Sequence, residues 1–369
     1  MQVEIVLTTI NRIDSLLKEY INNLSTYHHE VGFQIIADSK TPDEENLKYV
    51  ENLSYPINYL TLKDQEKLFK GYFNHKFKKY LDIFPRGTDV MRAIGFLTAK
   101  ADGAKTIISI DDDNFPLPDR DFVGEHCISK SKTLSEISSP NKWINTCYFL
   151  RSNTNNLYYS RGFPLIRREP VTYSFRSVTR ESVLNAGLWS NVPDIDAISH
   201  LENPDIRTLA NRVQNYFVAK DNFLCIPTQN TSFSTEILPC YYYVRMGDQI
   251  GPFKINRYGD IFQGFFAKKV LDRNNLTVSF GEPLTDHRRN VHNIENDFKN
   301  EFWGMIITNW LSDHLEKIEI DSKGLHNGYL ELSLELEHSF PFKEPSLKKY
   351  WRKVCQNMRV WLEILDRFF

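Results

Sequence analysis

Cysteine is scarce and unpatterned in this chain. Its five cysteines, Cys127, Cys147, Cys225, Cys240 and Cys355, are odd in number, widely scattered and form no Cys-x-x-Cys pair. That argues against a disulfide framework and a structural zinc site, and predicts reduced thiols in the cytoplasm. Long apolar runs are missing too. No segment approaches the roughly 18 consecutive apolar residues that span a bilayer, so no membrane span is expected. The opening MQVEIVLTTINRID has no basic n-region, and Glu4 interrupts its short apolar run, so it does not read as a secretory leader. Charge of either sign is nearly balanced. The formal net charge is -2 and the pI about 6.6, which gives no reason to expect a nucleic-acid partner. Low-complexity segments and internal repeats are absent. What remains is a 369-residue chain, 41% hydrophobic and 25% charged, with enough material for one large domain or two ordinary ones.

The first third alternates strand and helix signals. Residues 3–9 (VEIVLTT), 33–39, 57–62 and 105–110 read as buried strands. Residues 12–24 carry apolar side chains at helical spacing, with Asn11 placed to cap them, and 89–104 reads as a helix that stops at Gly103. This alternation predicts an α/β fold: a mostly parallel sheet with helices on both faces. Ligands in such sheets bind at the carboxyl ends of the strands. Residues 140–300 are rich in Asn, Pro and aromatics, and read as loops and strands that build a second half-site. Leu347, Trp351, Val354, Met358, Trp361, Leu365 and Phe368 recur in steps of four and three. They form one apolar stripe on a C-terminal helix of about six turns, suited to packing on its own domain or to pairing a homo-oligomer. The alternating Leu and Glu of 329–338 fit a strand or a helix. The expected organisation is a catalytic domain over 1–300 and a helical segment over 301–369.

Asp111, Asp112 and Asp113 follow the apolar strand 105–110 directly. Each carboxylate makes ionising the next harder, so the cluster needs either a cation or full hydration. Alternation along a strand end puts Asp111 and Asp113 on one face. A D-x-D pair suits a hard divalent cation that keeps sites for water and phosphate. Glycosyltransferases of the GT-A type hold a nucleotide-sugar diphosphate with such a pair after such a strand. The expected fold is therefore GT-A-like, or Rossmann-like.

Further blocks, in order, complete a pattern: VEIVLTTINRIDSL, TDVMRAIGF, IISIDDDNF, SRGFPLIRRE, GLWSNVPDIDA, QNTSF, MGDQIGPFKINRYGDIFQG and DHRRN. The chain resembles the reversibly glycosylated polypeptides, a family that includes the plant UDP-arabinopyranose mutases. The resemblance runs over nearly the whole chain at low identity. It implies a UDP-sugar substrate and a divalent metal, usually manganese, with magnesium as the alternative. It also places Arg161 at the arginine that becomes glycosylated. There are departures. Gly259 replaces the first of the family's paired acids and Asp260 keeps the second. Residues 65–86 are longer than the plant segment, and 246–260 carry extra residues.

These blocks give a candidate site. Asp111 and Asp113 are the expected metal ligands, with His287 as a third and His292 as its competitor. Asp112 is placed with the substrate. Arg161, next to Gly162 and Pro164, is set to hold a diphosphate, and the resemblance adds acceptance of the sugar at C1. Arg92 either pairs with Asp89 on its helix or meets phosphate. Trp189 offers a ring for sugar stacking or fills the core, and Asp194 and Asp196 offer carboxylates to sugar hydroxyls. Asp260 caps its helix or contacts sugar or acceptor. Arg288 and Arg289 are placed to face phosphates. The expected activity is pyranose–furanose interconversion of a UDP-sugar. The alternatives are transfer of the sugar to a separate acceptor, with Asp260 as base, and a self-glycosylating binding protein.

Overall fold

The apolar run Val3–Thr9 forms the first strand, buried from Glu4 onward. Successive side chains point to opposite faces. Ile5 and Leu7 enter the core under the helix Asp14–Thr26, while Val6 joins the core on the other side, with Ile94 and Leu97 of the helix Arg92–Ala101. The computed structural model describes residues 2–126, 128–209, 213–289 and 293–369. Cys127 and His292 lie outside the described residues.

An eleven-stranded sheet organises the described residues. Its first four neighbours are Ile57–Leu60, Gly32–Ala37, Val3–Thr9 and Thr106–Asp111, all parallel. Beyond them the sheet is mixed. Thr231–Ser234 runs antiparallel to both Thr106–Asp111 and Ser182–Asn191. Ser182–Asn191 is parallel to Thr277–His287. The double reversal restores direction, so Thr9, Ala37, Asp111, Asn191 and His287 all end strands on the same edge. Tyr216–Val218, Lys132–Ser138 and Ser174–Arg180 extend the sheet on the far side.

Helices cover both faces, as the alternation predicts. Two local details differ from expectation. The first helix begins at Asp14, and its N-cap is Ile13 with no side-chain bond. Asn11 is instead drawn away by Asp112, to which its Nδ2 donates at 3.0 Å. The third strand stops at Leu60 because Thr61 and Asp64 form a capping box that starts the helix Leu62–Phe73. The Leu/Glu stretch is helical, Leu325–His338, with Tyr329, Leu332 and Leu336 buried.

The C-terminal helix, Pro345–Phe368, buries its whole stripe within the chain. Trp361 is fully buried, donates from Nε1 to the Leu238 carbonyl at 2.7 Å, and meets the ring of Phe84 edge-on. The stripe is thus not an open seam for a second copy, which corrects the expected homo-oligomer contact through it. The helix Ile294–Lys317 crosses residue 300, and its Met305, Ile307, Leu311 and Leu315 share one core with Phe262 and Phe265. No helix among the described residues is long and apolar enough to cross a membrane.

Candidate functional site

The shared strand edge opens into a cavity of about 340 Å³. Among the described residues, seven carboxylates and five cationic side chains line it. The acids are Asp38, Asp89, Asp111, Asp112, Asp113, Asp194 and Asp260; the cations are Lys40, Arg92, Arg161, Arg257 and Arg289. An excess of carboxylates in an enclosed space is costly unless a cation joins them.

The three consecutive aspartates each have a different job. Asp111 ends its strand and pairs with buried Arg92, which also donates to Ser109 at 3.2 Å and Thr228 at 3.1 Å. Burial raises the Asp111 carboxyl, Arg92 opposes that, and the charge on Asp113 raises it further. Arg92 therefore serves Asp111, and no bond joins it to Asp89. Asp112 turns the other way and fastens the end of the first strand, accepting from Thr9 Oγ1 at 2.7 Å and from Asn11. Asp113 accepts from Asn114 at 2.9 Å and faces His287 Nε2 at 3.5 Å. The other His287 nitrogen, Nδ1, lies 2.7 Å from the Val192 carbonyl and so carries a proton. Nε2 then meets Asp113 either as a second N–H or as a lone pair with a cation between them. Burial pushes the imidazole down, but Asp113 outweighs it and the net shift is upward.

Among the described residues, no three His, Cys, Asp or Glu side chains converge as a complete ligand set. Asp111, Asp113 and His287 offer a partial, mainly oxygen set beside a surplus of negative charge. That chemistry fits a hard divalent cation whose other ligands come from a bound diphosphate and water.

Across the cavity, Arg161 is held by two carboxylates. Its Nε and Nη2 donate to Asp194, both at 2.8 Å. Nη1 and Nη2 donate to Asp260 at 3.0 and 2.8 Å, and Nη1 also meets the Arg257 carbonyl. All five N–H groups of the guanidinium are used. Burial alone would raise Asp194, but Arg161 pulls it down to about 2. Gly162 is required at this bend. Its φ is +88°, and a Cβ there would sit 2.3 Å from Ile261. A charged, fully bonded guanidinium has no lone pair to offer, so sugar acceptance at Arg161 would require loss of an N–H proton as well as opening of these bonds. Asp260 lies in the first turn of the helix Gly259–Arg273 but does not cap it; the N-cap is Tyr258. A side chain at Gly259 would meet the Val244 carbonyl at 2.5 Å and the Tyr243 ring at 2.6 Å.

Three predicted residues stand elsewhere. Trp189 is a core side chain of the strand Ser182–Asn191, 1% exposed, and does not present its ring to the cavity. Asp196 caps the short helix Ala197–Glu202 through Ser199 N–H at 2.8 Å and pairs with Arg168. Arg289 does line the cavity, beside His200 and 2.8 Å from Asp297. Arg288 turns outward to Glu19 and Asp286. Asp89 lines the cavity, and among the described residues its carboxylate alone of the seven has no hydrogen bond or ion pair. Asp89 is an exposed residue, but the surrounding protein, reinforced by the charge on Asp111, pushes its carboxyl up to about 6.

Sequence reading missed Arg257, Lys40, Asp38 and Tyr243, which also line the cavity. Arg257 was within reach, since it precedes the quoted Tyr-Gly-Asp. It holds a left-handed backbone, φ +63°, and donates to buried Glu301 at 2.8 Å.

Comparison with known proteins bears on this geometry. A UDP-arabinopyranose mutase of Arabidopsis thaliana, number 2, is 27% identical over 280 residues, covering 74% of this chain and 71% of its own. A probable UDP-arabinopyranose mutase 1 of Pisum sativum is 27% identical over 283 residues, covering 74% and 70%. Among solved structures, S. aureus TarS 1–349 in complex with UDP-GlcNAc aligns over 97% of this chain and 72% of its own, at 10% identity and a TM-score of 0.37. The model of the family described as reversibly glycosylated polypeptide matches residues 1–368. A site assembled from blocks that run the length of the chain, matched end to end by that model, makes this chain a member of the reversibly glycosylated polypeptide family.

Proposed function

We propose that this chain is a metal-dependent UDP-sugar enzyme of the mutase type, interconverting pyranose and furanose forms in the cytoplasm. The observation that carries the reading is the cavity itself. Asp111 and Asp113 share it with Arg257 and Arg289, at the common end of five strands, in a family whose relatives bear the mutase name. Asp111, Asp113 and His287 are the residues that would hold manganese or magnesium. When bound, the cation neutralises the diphosphate as it leaves.

The chain's own residues supply the rest. Arg257 and Arg289 orient the phosphates by charge-assisted bonds. The bond from C1 to UDP breaks, and the oxygen keeps the electron pair. Arg161 with Asp194 and Asp260 forms a fixed polar wall beside the cationic carbon that remains. The ring then re-forms through a different hydroxyl, and UDP returns to C1. Ring exchange moves a proton from the incoming hydroxyl to the outgoing ring oxygen. Asp89 is the carboxyl suited to carry it, being unpaired and lifted towards neutral pH. Asp260 is poorly suited as a base, since both of its oxygens already accept from Arg161.

The test is a proton NMR time course with manganese and, one at a time, UDP-arabinopyranose, UDP-galactose, UDP-xylose and UDP-glucose, without acceptor. New furanose anomeric signals with UDP-sugar conserved are expected for one of them. Slow release of free sugar and UDP with no ring change would replace the mutase reading by transfer to a separate acceptor.

A further inference from the structure

The long segment 65–86 builds a second pocket, of about 500 Å³, beside the first. The two are neighbours along the chain: Arg86 lines this one, while Gly87, Thr88 and Asp89 line the site above. Its character is opposite. Lys78, Arg86, Arg245 and Lys353 face it, against Glu66 and Asp82. Glu66 is already engaged by Lys70 at 2.6 Å. Arg245 is fixed by Asp248 at 2.7 Å and by the Asp82 carbonyl at 3.1 Å. Lys78, Arg86 and Lys353 have no ion pair or side-chain hydrogen bond among the described residues.

These four cations come from separate parts of the fold. Lys78 is on the short helix Phe77–Leu81, Arg86 on the loop after it, Arg245 before the hairpin Gln249–Lys254, and Lys353 on the C-terminal helix. Tertiary folding thus gathers four cations against two carboxylates around one concave space, where Lys78 and Arg86 reach Glu66 only through space and without a contact ion pair. Like charges disfavour one another, so the arrangement is explained if an anion joins them. Phe77, Leu81, Phe84 and Pro85 add an apolar wall. The volume falls in the range of small-molecule sites.

We propose that this pocket is a second binding site, for a small phosphate-bearing ligand, distinct from the carboxylate-rich cavity. A guanidinium and two ammonium groups match phosphate oxygens, and the apolar wall takes the ligand's remaining body. This inference does not depend on the mutase reading.

The experiment is calorimetric titration of the full chain with sodium tripolyphosphate in EDTA. Lys78→Glu/Lys353→Glu is expected to weaken binding about tenfold or more, while Arg289→Ala, in the other cavity, leaves it unchanged. If the charge reversal misfolds, Lys78→Gln/Lys353→Gln serves, with an expected loss of about threefold. No binding by the wild type overturns the proposal. So does loss in Arg289→Ala with none in the pocket variants, or binding to anionic phospholipid vesicles but not to tripolyphosphate.

Discussion

Arg161 and Asp260 are joined by two parallel hydrogen bonds, at 3.0 and 2.8 Å, although 99 residues separate them. Asp194 grips the same guanidinium from its other side. The polar wall of the cavity is therefore one rigid unit built from three distant segments. A buried ion pair adds little over a well-packed apolar substitute, but removing one partner strands the other. The expectations below follow from that wall and from the carboxylates facing it.

Acid should weaken the fold through Asp194. Its carboxyl is depressed to about 2 in the folded chain, against about 3.9 unfolded. The stabilisation is present above pH 4 and disappears as pH falls towards 2, a contribution on the order of 2 kcal/mol. Urea unfolding between pH 7 and pH 2 checks this. Asp194→Asn should be less stable at pH 7, and the gap to wild type should narrow across that window.

Asp113→Ala should lower manganese-dependent UDP affinity on the order of 100-fold and leave the fold intact. Calorimetry with and without manganese gives the answer. An unchanged metal enhancement would remove Asp113 from the ligand set.

Asp89 makes a paired prediction. A carboxyl raised to about 6 favours the folded state below pH 4, and that advantage is lost as pH rises through 6. In the metal-free protein, Asp89→Asn should therefore raise the melting midpoint at pH 7.5 and leave it unchanged at pH 4. The same variant should turn over far more slowly than wild type, and the limb near pH 6 should be missing from the kcat profile of its residual activity. Wild-type kcat in Asp89→Asn would assign the proton transfer elsewhere.

Trp361→Ala should cost about 3–5 kcal/mol. The substitution empties a fully buried site and leaves the Leu238 carbonyl without its donor. Chemical denaturation measures the loss, with Trp361→Phe expected to recover part of it.

The legible parts of the sequence were those governed by local pattern. Short apolar runs gave the strands Val3–Thr9 and Thr106–Asp111, the second running into the aspartates, and the four-three stripe gave Pro345–Phe368. Asp111, Asp113, Asp194, Asp260, Arg161 and His287 do gather at one cavity. The unread parts depend on tertiary choices. Asn11 stands where a cap belongs, but Asp112, a hundred residues on, takes its side chain. Trp189 reads equally well as ring platform or core, and only its place in an interior strand makes it core. Asp196 sits two residues from Asp194, yet a helix start claims it. Arg257 stood inside a quoted block, but its importance lies in a backbone carbonyl and a buried glutamate that the sequence does not pair with it.

The packing of Pro345–Phe368 also bears on the acidic strand end. That helix touches Arg92–Ala101, and Lys100 lies over the ring of Phe369. Arg92, which steadies Asp111, thus stands on a helix packed against three separate parts of the chain: the strands Val3–Thr9 and Gly32–Ala37, the turn Thr235–Cys240, and Pro345–Phe368. A cavity-filling or cavity-making change in Pro345–Phe368 is therefore felt at the acidic strand end through one rigid helix, although no residue of Pro345–Phe368 lines the cavity.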